Sequence, residues 1–334
     1  QCAFKMQPSI YISNIILSNF RSHEKFTINS NSKNIVLFGK NGVGKTNILE
    51  SISLLSPGRG LRNAKNEEII NKNTNTDYGL SANLQFDNNS IKIKKTYLRD
   101  ETKKSNLFID DEKSKTADLL NFLRVIWVTP VMEKIMLQSN SERRNFFDRL
   151  IFNIEKKHLK AFTAYNKFTK ERLHILKSNV PDSAWLEQIE KKIAVCAYEI
   201  IEYRQAAISK INTNLSLISL PFNSCIIELN YEDTLKITSD IGEFTFDYEN
   251  TLFKNRTIDK ETNRTLVGPN KVEVKMWKLD DRSIEAKYCS TGEQKSILIS
   301  IILSVAQIIK KSDFAKPPII LIDDLFFGID DKNL

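Results

Sequence analysis

The chain has 334 residues, 41% hydrophobic and 27% charged, with a formal net charge of +8 and a pI near 9.1. This is enough to bury a large core in one domain or two to three smaller units, and basic enough to suit an anionic polymer. No apolar run reaches membrane-span length, the N-terminus QCAFKMQPSIY lacks the regions of a secretory signal, and the four cysteines and three histidines have no metal-ligand or disulfide spacing, so the expectation is a cytoplasmic protein with no membrane partner, disulfide frame or zinc site.

SIYISNIILSNF and KFTINS read as strands of a meander, and NIVLF, residues 34–38, reads as a compact strand running into Gly39-Lys40-Asn41-Gly42-Val43-Gly44-Lys45-Thr46. A helix is expected from Thr46 to the stop at Ser56-Pro57-Gly58. LSANLQF and SIKIKKTYL alternate on either side of Asn88-Asn89 as an antiparallel hairpin would, and VIWVT, residues 125–129, reads as a buried strand. From Ser141 to about Ile218 the period is helical, with Pro181 as its one proline, and predicts two or more long helices. Residues 151–210 carry eleven Lys and Arg against seven Asp and Glu, a surplus that suits a solvated helix face as well as DNA. Beyond Pro221 the text is strand-like again. YCSTGEQKSIL, residues 288–298, is a polar turn opening a helix that runs to about Lys311, and IILI, residues 319–322, is a strand followed by Asp323 and Asp324.

The eight residues from Gly39 to Thr46 match GxxxxGK[ST] in full, between a strand and a helix, as its mechanism requires. The glycines let loop N–H groups turn inward to phosphates, Lys45 reaches the β- and γ-phosphates, and the Thr46 hydroxyl holds Mg²⁺, so ATP and Mg²⁺ are the expected cofactors. An apolar strand ending in acids places Asp323 to complete the metal shell and Asp324 to polarise an attacking water. Ser290, Thr291, Gly292, Glu293 and Gln294 start a helix whose free N–H groups and dipole suit an anion. They equally form an ordinary capping-box start. A phosphate loop, then a Ser-Thr-Gly-Glu-Gln helix start, then an apolar-Asp-Asp strand is the order of ATP-binding-cassette ATPases, in which the signature helix faces the γ-phosphate held by another copy.

NFRSHEKFTI, KTNILESISLLSPGRGLR, WVTPVME, SERRNFFDRLI, RTLVGPN and CSTGEQKSIL, in that order, resemble the RecF family of bacterial recombination mediators, SMC-like ATPases that act at single-strand gaps. The resemblance covers nearly the whole chain and is weakest across 155–260. It implies an α/β fold, a P-loop ABC/SMC-like ATPase head with an antiparallel β subdomain and an inserted helical arm-like lobe. The expected division is 1–150 for the first half of the head, 151–260 for the helical lobe, and 261–334 for the second half of the head. The family further implies an ATP-dependent homodimer, slow ATP hydrolysis, binding of single-stranded and gapped double-stranded DNA, and cooperation with RecO- and RecR-like proteins in loading RecA. Carried onto this chain, Lys45 and Asp324 would be catalytic, Gly39 to Thr46 and Ser290 to Gln294 would bind nucleotide with Arg21, and Thr46 and Asp323 would hold the metal. His23 shares the position of Arg21, Asp330 would lie at the dimer seam, and Arg59, Arg62, Arg143 and Arg144 match basic positions that can contact phosphate. Family members read GPHRxD where this chain has Gly268-Pro269-Asn270-Lys271-Val272, FFGID after the acidic pair is unusual, and Leu334 falls before the strand and switch histidine expected next. An ATPase subunit of a transporter or of a chromosome-structuring machine shares the catalytic motifs, and a non-enzymatic DNA-binding protein shares the basic balance.

Overall fold

The computed structural model describes residues 10–74, 76–86, 89–99, 105–218, 222–231, 235–312 and 317–324. In chain order its strands and helices are β1 (Ile10–Phe20), β2 (His23–Asn29), α1 (Lys45–Ser53), α2 (Asn66–Ile69), β3 (Tyr78–Phe86), β4 (Asn89–Tyr97), β5 (Ser105–Ile109), β6 (Glu112–Ser114) and β7 (Val125–Val128). Then come α3 (Asn140–Ile154), α4 (Lys156–Leu176), α5 (Ser183–Leu215), β8 (Cys225–Asn230), α6 (Ile241–Lys254), α7 (Arg256–Thr262), β9 (Glu273–Lys278), α8 (Thr291–Lys311) and β10 (Ile319–Ile322). The chain divides into two compact units: the described parts of Gln1–Pro130 with Val305–Ile329, and the described part of Val131–Ser304.

In the first unit β2, β1, β3, β4, β5 and β6 pair in that order, antiparallel throughout. Strict alternation makes this possible: every second residue of β3 is buried, from Tyr78 to Phe86, so one face lies on the core. β7 is buried at all four positions and pairs in parallel with β10, Val125 opposite Ile319 and Val128 opposite Ile322. Parallel pairing lets a strand from the far end of the chain bring its carboxyl end beside that of β7.

The second unit is mainly helical. α5, 33 residues and about 50 Å long, starts on Asp182, whose side chain accepts from the Trp185 N–H at 3.0 Å, and it packs along α4 and α6. Ala161, Tyr165, Ile193, Ala197, Phe244 and Tyr248 share the resulting core. Among the described residues α8 is the one helix long and apolar enough to cross a membrane, but Ile297, Leu298, Ile301 and Ile302 are buried, as in a core helix.

Two expectations are corrected. Residues 34–38 form no strand, and Ile35, Val36 and Phe38 are 45, 83 and 90% exposed; β propensity becomes a strand only where a neighbour supplies ladder partners, and none of the described strands does. The text beyond Pro221 is not strand-like throughout, because β8 gives way to α6 and α7. Asp240 caps α6 by accepting the Glu243 N–H at 2.7 Å, and Phe244, Tyr248 and Leu252 fall at i, i+4 and i+8 on its buried face.

Candidate functional site

Glycine makes the phosphate loop. Gly39, Gly42 and Gly44 have φ of 146°, 84° and 99°, left-handed values that other residues adopt only at a cost. Gly44 also starts α1, its carbonyl accepting from the Asn47 and Ile48 N–H groups at 3.0 and 3.2 Å. Lys40, Asn41 and Val43 are exposed. The Lys45 ammonium folds back over the loop and donates to the carbonyls of Gly39 at 2.8 Å and Lys40 at 3.1 Å. It is thereby held against the loop, and among the described residues no carboxylate pairs with it.

β10 brings the acidic pair to this loop. The Asp323 N–H donates to the Val128 carbonyl at 3.1 Å, extending the parallel ladder by one residue, and the Thr46 hydroxyl donates to Asp323 Oδ1 at 3.1 Å across 277 residues of sequence. A hydroxyl and a carboxylate oxygen side by side form a hard-oxygen donor set that fits a Mg²⁺ ion. Asp324 is exposed, at φ 46°. Asp330 and the FFGID segment lie outside the described residues.

The β1–β2 turn supports the loop from below. Arg21, Ser22 and His23 meet α1 in reverse order. The His23 ring lies 3.5 Å from the Gly44 carbonyl, the Ser22 hydroxyl accepts from Asn47 at 2.8 Å, and the Arg21 guanidinium donates to both carboxylate oxygens of Glu50 at 2.8 and 2.5 Å. Positions 44, 47 and 50 are three apart, hence one helix face. A Cβ on Gly44 would fall 2.5 Å from His23 Nε2, so the glycine is required for this approach as well as for its φ. Glu50 is wholly buried and also accepts from Arg62 at 3.0 Å; Arg62 donates to Asn47 Oδ1 at 2.8 Å. Arg21 further donates to the Glu68 carbonyl. Its guanidinium is thus engaged by protein groups, while Arg59 is exposed.

Ser290 to Gln294 form a complete capping box. The Glu293 N–H donates to Ser290 Oγ at 3.3 Å, while Glu293 Oε2 accepts from the Ser290 N–H and hydroxyl, both at 2.9 Å. The Ser290 N–H, the Lys278 ammonium at 3.0 Å and the Ser290 hydroxyl hold the Glu293 carboxyl below the usual range. Gln294 is buried and donates to the carbonyls of Lys287 and Cys289 at 3.1 and 2.9 Å. Ser290, Thr291 and Gly292 remain exposed, and a Cβ on Gly292 would meet nothing within 4 Å. The cap rigidifies this helix start and leaves its first residues open to a ligand.

Arg143 and Arg144 serve the protein interior. Arg143 donates to the carbonyls of Val274 and Gln138 at 2.9 and 2.6 Å, and Arg144 to Val272 at 3.1 Å, tying α3 to β9. The altered Gly268-Pro269-Asn270 segment is likewise held: Tyr248 donates to the Val267 carbonyl at 3.0 Å, and buried Arg204 donates to Pro269 O at 2.5 Å while pairing with Asp148 at 2.8 Å. Among the described residues no cluster of His, Cys, Asp or Glu forms a metal site, and Cys196, Cys225 and Cys289 are free thiols. Glu50 escaped the sequence reading, which named Arg21 and Arg62 but not the acid they share. The available signal was an acid among apolar positions of α1, six residues after Gly44.

Comparison with known proteins follows from this geometry. The family described as RecF/RecN/SMC N terminal domain matches residues 11–334. The DNA replication and repair protein RecF of Rickettsia prowazekii (strain Madrid E) is 34% identical over 97% of this chain and 89% of its own length. That of Rickettsia massiliae (strain Mtu5) is 34% identical over the same shares. A solved structure described as the recombination mediator protein RecF-ATP in the RecFOR pathway superposes with a TM-score of 0.86 at 24% identity, covering 99% of this chain and 89% of that one. At that identity the likeness bears on the fold alone.

Proposed function

The chain belongs to the RecF/RecN/SMC family, and on that premise we propose that it is an ATP-switched DNA-binding protein of recombinational repair and replication maintenance, acting in the cytoplasm. The observation that carries this reading is the Thr46–Asp323 hydrogen bond, which unites the phosphate loop with the acidic end of β10. Gly39 to Thr46 would wrap the phosphates of ATP, with Lys45 exchanging its loop carbonyls for phosphate oxygens. Thr46 and Asp323 would hold Mg²⁺, which when bound neutralises charge on the transferred phosphoryl group. Asp324 would accept a proton from the attacking water.

The exposed Ser290, Thr291 and Gly292 support a role in trans, against ATP on a second copy, and hence an ATP-dependent homodimer. The basic balance and the names of the relatives support DNA as the polymer bound, single-stranded or at gaps, with RecO- and RecR-like proteins and RecA as partners. Two variants test the core of this reading. Lys45→Ala removes the phosphate contact and keeps the signature; Ser290→Arg keeps the phosphate loop and blocks the signature. Each alone is expected to stay monomeric with ATP in light scattering. Mixed, they build one intact composite site, so ATP-dependent dimer and partial ATPase activity should return. No recovery, even in a covalently linked heterodimer with both halves folded, overturns the role in trans.

A further inference from the structure

A second basic cavity lies in the first unit, at the opposite end of α1 from the phosphate loop. β4 places Ile93, Lys95 and Tyr97 on the same, inward face, where Ile93 and Tyr97 are 0 and 1% exposed and Lys95 only 8%. An ammonium at a core position of a strand is costly unless it is paired. Lys95 Nζ donates to the carbonyl of Leu54, the residue that caps α1, at 3.2 Å, which uses one of its three donors. Among the described residues no carboxylate pairs with it. Burial pushes this ammonium down to about 8.

The cavity onto which Lys95 faces measures about 610 Å³ and is lined by Arg59, Lys65 and Lys115 beside Lys95, with Glu67 as the one acid among the described lining residues.

 A cavity of about 870 Å³ in the second unit, beside α6, has Asp247 sharing the lining with Lys236 and Lys254 and is the less basic of the two. Glu68 and Asp118 accept from the backbone N–H groups of Lys65 and Lys115, both at 2.9 Å, so their carboxylates already serve as caps. Thr116 adds a hydroxyl to the wall. Four cations facing one acid in a cavity of small-ligand size form a receptor for a compact multivalent anion.

We propose that this cavity is a second anion site, separate from the phosphate loop, which seats a phosphate group on Lys95 with Arg59, Lys65 and Lys115 around it. The phosphate is either that of a small phosphorylated ligand or one phosphodiester of a nucleic-acid strand. The site stands on its own geometry and does not depend on the ATPase reading.

The test uses the full chain carrying Lys45→Ala, so that the phosphate loop does not compete, with inorganic phosphate and a single-stranded oligothymidylate as probes. Titration calorimetry with inorganic phosphate should give a binding heat that disappears on adding Lys95→Met, a change that keeps side-chain length and leaves no buried charge. Reductive methylation read by peptide mass spectrometry should slow at Lys95 by about tenfold when a probe is at ten times its Kd, while Lys92 and Lys94, which are exposed on the same strand, keep their rates. Protection by inorganic phosphate with oligonucleotide affinity unchanged in Lys95→Met assigns the site to a small phosphorylated ligand. Loss of oligonucleotide affinity in Lys95→Met assigns it to a nucleic-acid phosphodiester. If neither probe protects Lys95 and Lys95→Met changes no binding heat, the proposal is overturned and Lys95 is a cap of α1.

Discussion

Glu50→Gln removes the one carboxylate that two arginines share beneath the phosphate loop. Wild-type Glu50 is wholly buried and holds Arg21 through two hydrogen bonds and Arg62 through one. Removing one partner of a fully buried ion pair costs about 3–5 kcal/mol, because the other charge stays behind unpaired. Here the arginine side chains keep 20 and 39% of their exposure, so part of their hydration returns and the expected cost is about 2–3 kcal/mol. For a unit of this size that corresponds to a fall of roughly 4–12 °C in its unfolding midpoint. Differential scanning calorimetry on Glu50→Gln, Arg62→Met and the double variant measures it. Arg62→Met alone should cost about 1 kcal/mol or less, since its partner keeps Arg21, and the double variant should deviate from additivity by about 0.5–3 kcal/mol. A Glu50→Gln midpoint equal to wild type, or strict additivity in the cycle, refutes the assignment of Glu50 as the anchor of the β1–β2 turn.

Lys45→Ala should abolish nucleotide binding while Asp324→Asn keeps it and slows hydrolysis, as read by equilibrium binding and phosphate release; equal loss of binding in both would contradict the separate roles. Arg172→Met should cost the second unit about 3–5 kcal/mol, because buried Arg172 holds both Glu190 at 2.8 Å and Asp259 at 2.7 Å; a denaturant midpoint unmoved by the change would argue against that network. The last expectation concerns pH. Burial, only partly offset by the hydrogen bond to Asp148, holds His158 below its ordinary value of 6.5. The unfolded chain therefore binds a proton that the native state refuses, so this contribution is present above about pH 6.5 and is lost as pH falls. His158→Gln should flatten the stability profile between about pH 5 and 7, and an unchanged slope would remove His158 as its source.

Local chemistry was legible in the sequence. Gly39 to Thr46 needs glycines at positive φ and a lysine and a hydroxyl at fixed offsets, and neighbours in sequence supply all of these. The alternation of β3 and β4 and the capping box of Ser290 and Glu293 are likewise interactions over a few residues. The failures have a common cause. Residues 34–38 carry strand propensity, but propensity holds no ladder partner, and the described strands offer none. Phe244, Tyr248 and Leu252 sit in text that also reads as β, until Asp240 caps a helix and α5 covers its apolar face. Arg21, Arg143 and Arg144 are cations whose partners are chosen by the fold: Glu50 for the first, and carbonyls of Val274, Gln138 and Val272 for the others. A charge is visible in a sequence, whereas its counter-charge is a matter of distance. Only the parallel register of β7 and β10 decides that Asp323 meets Thr46, because the energy of that contact depends on a few ångströms of separation and not at all on the 277 positions that separate them in sequence.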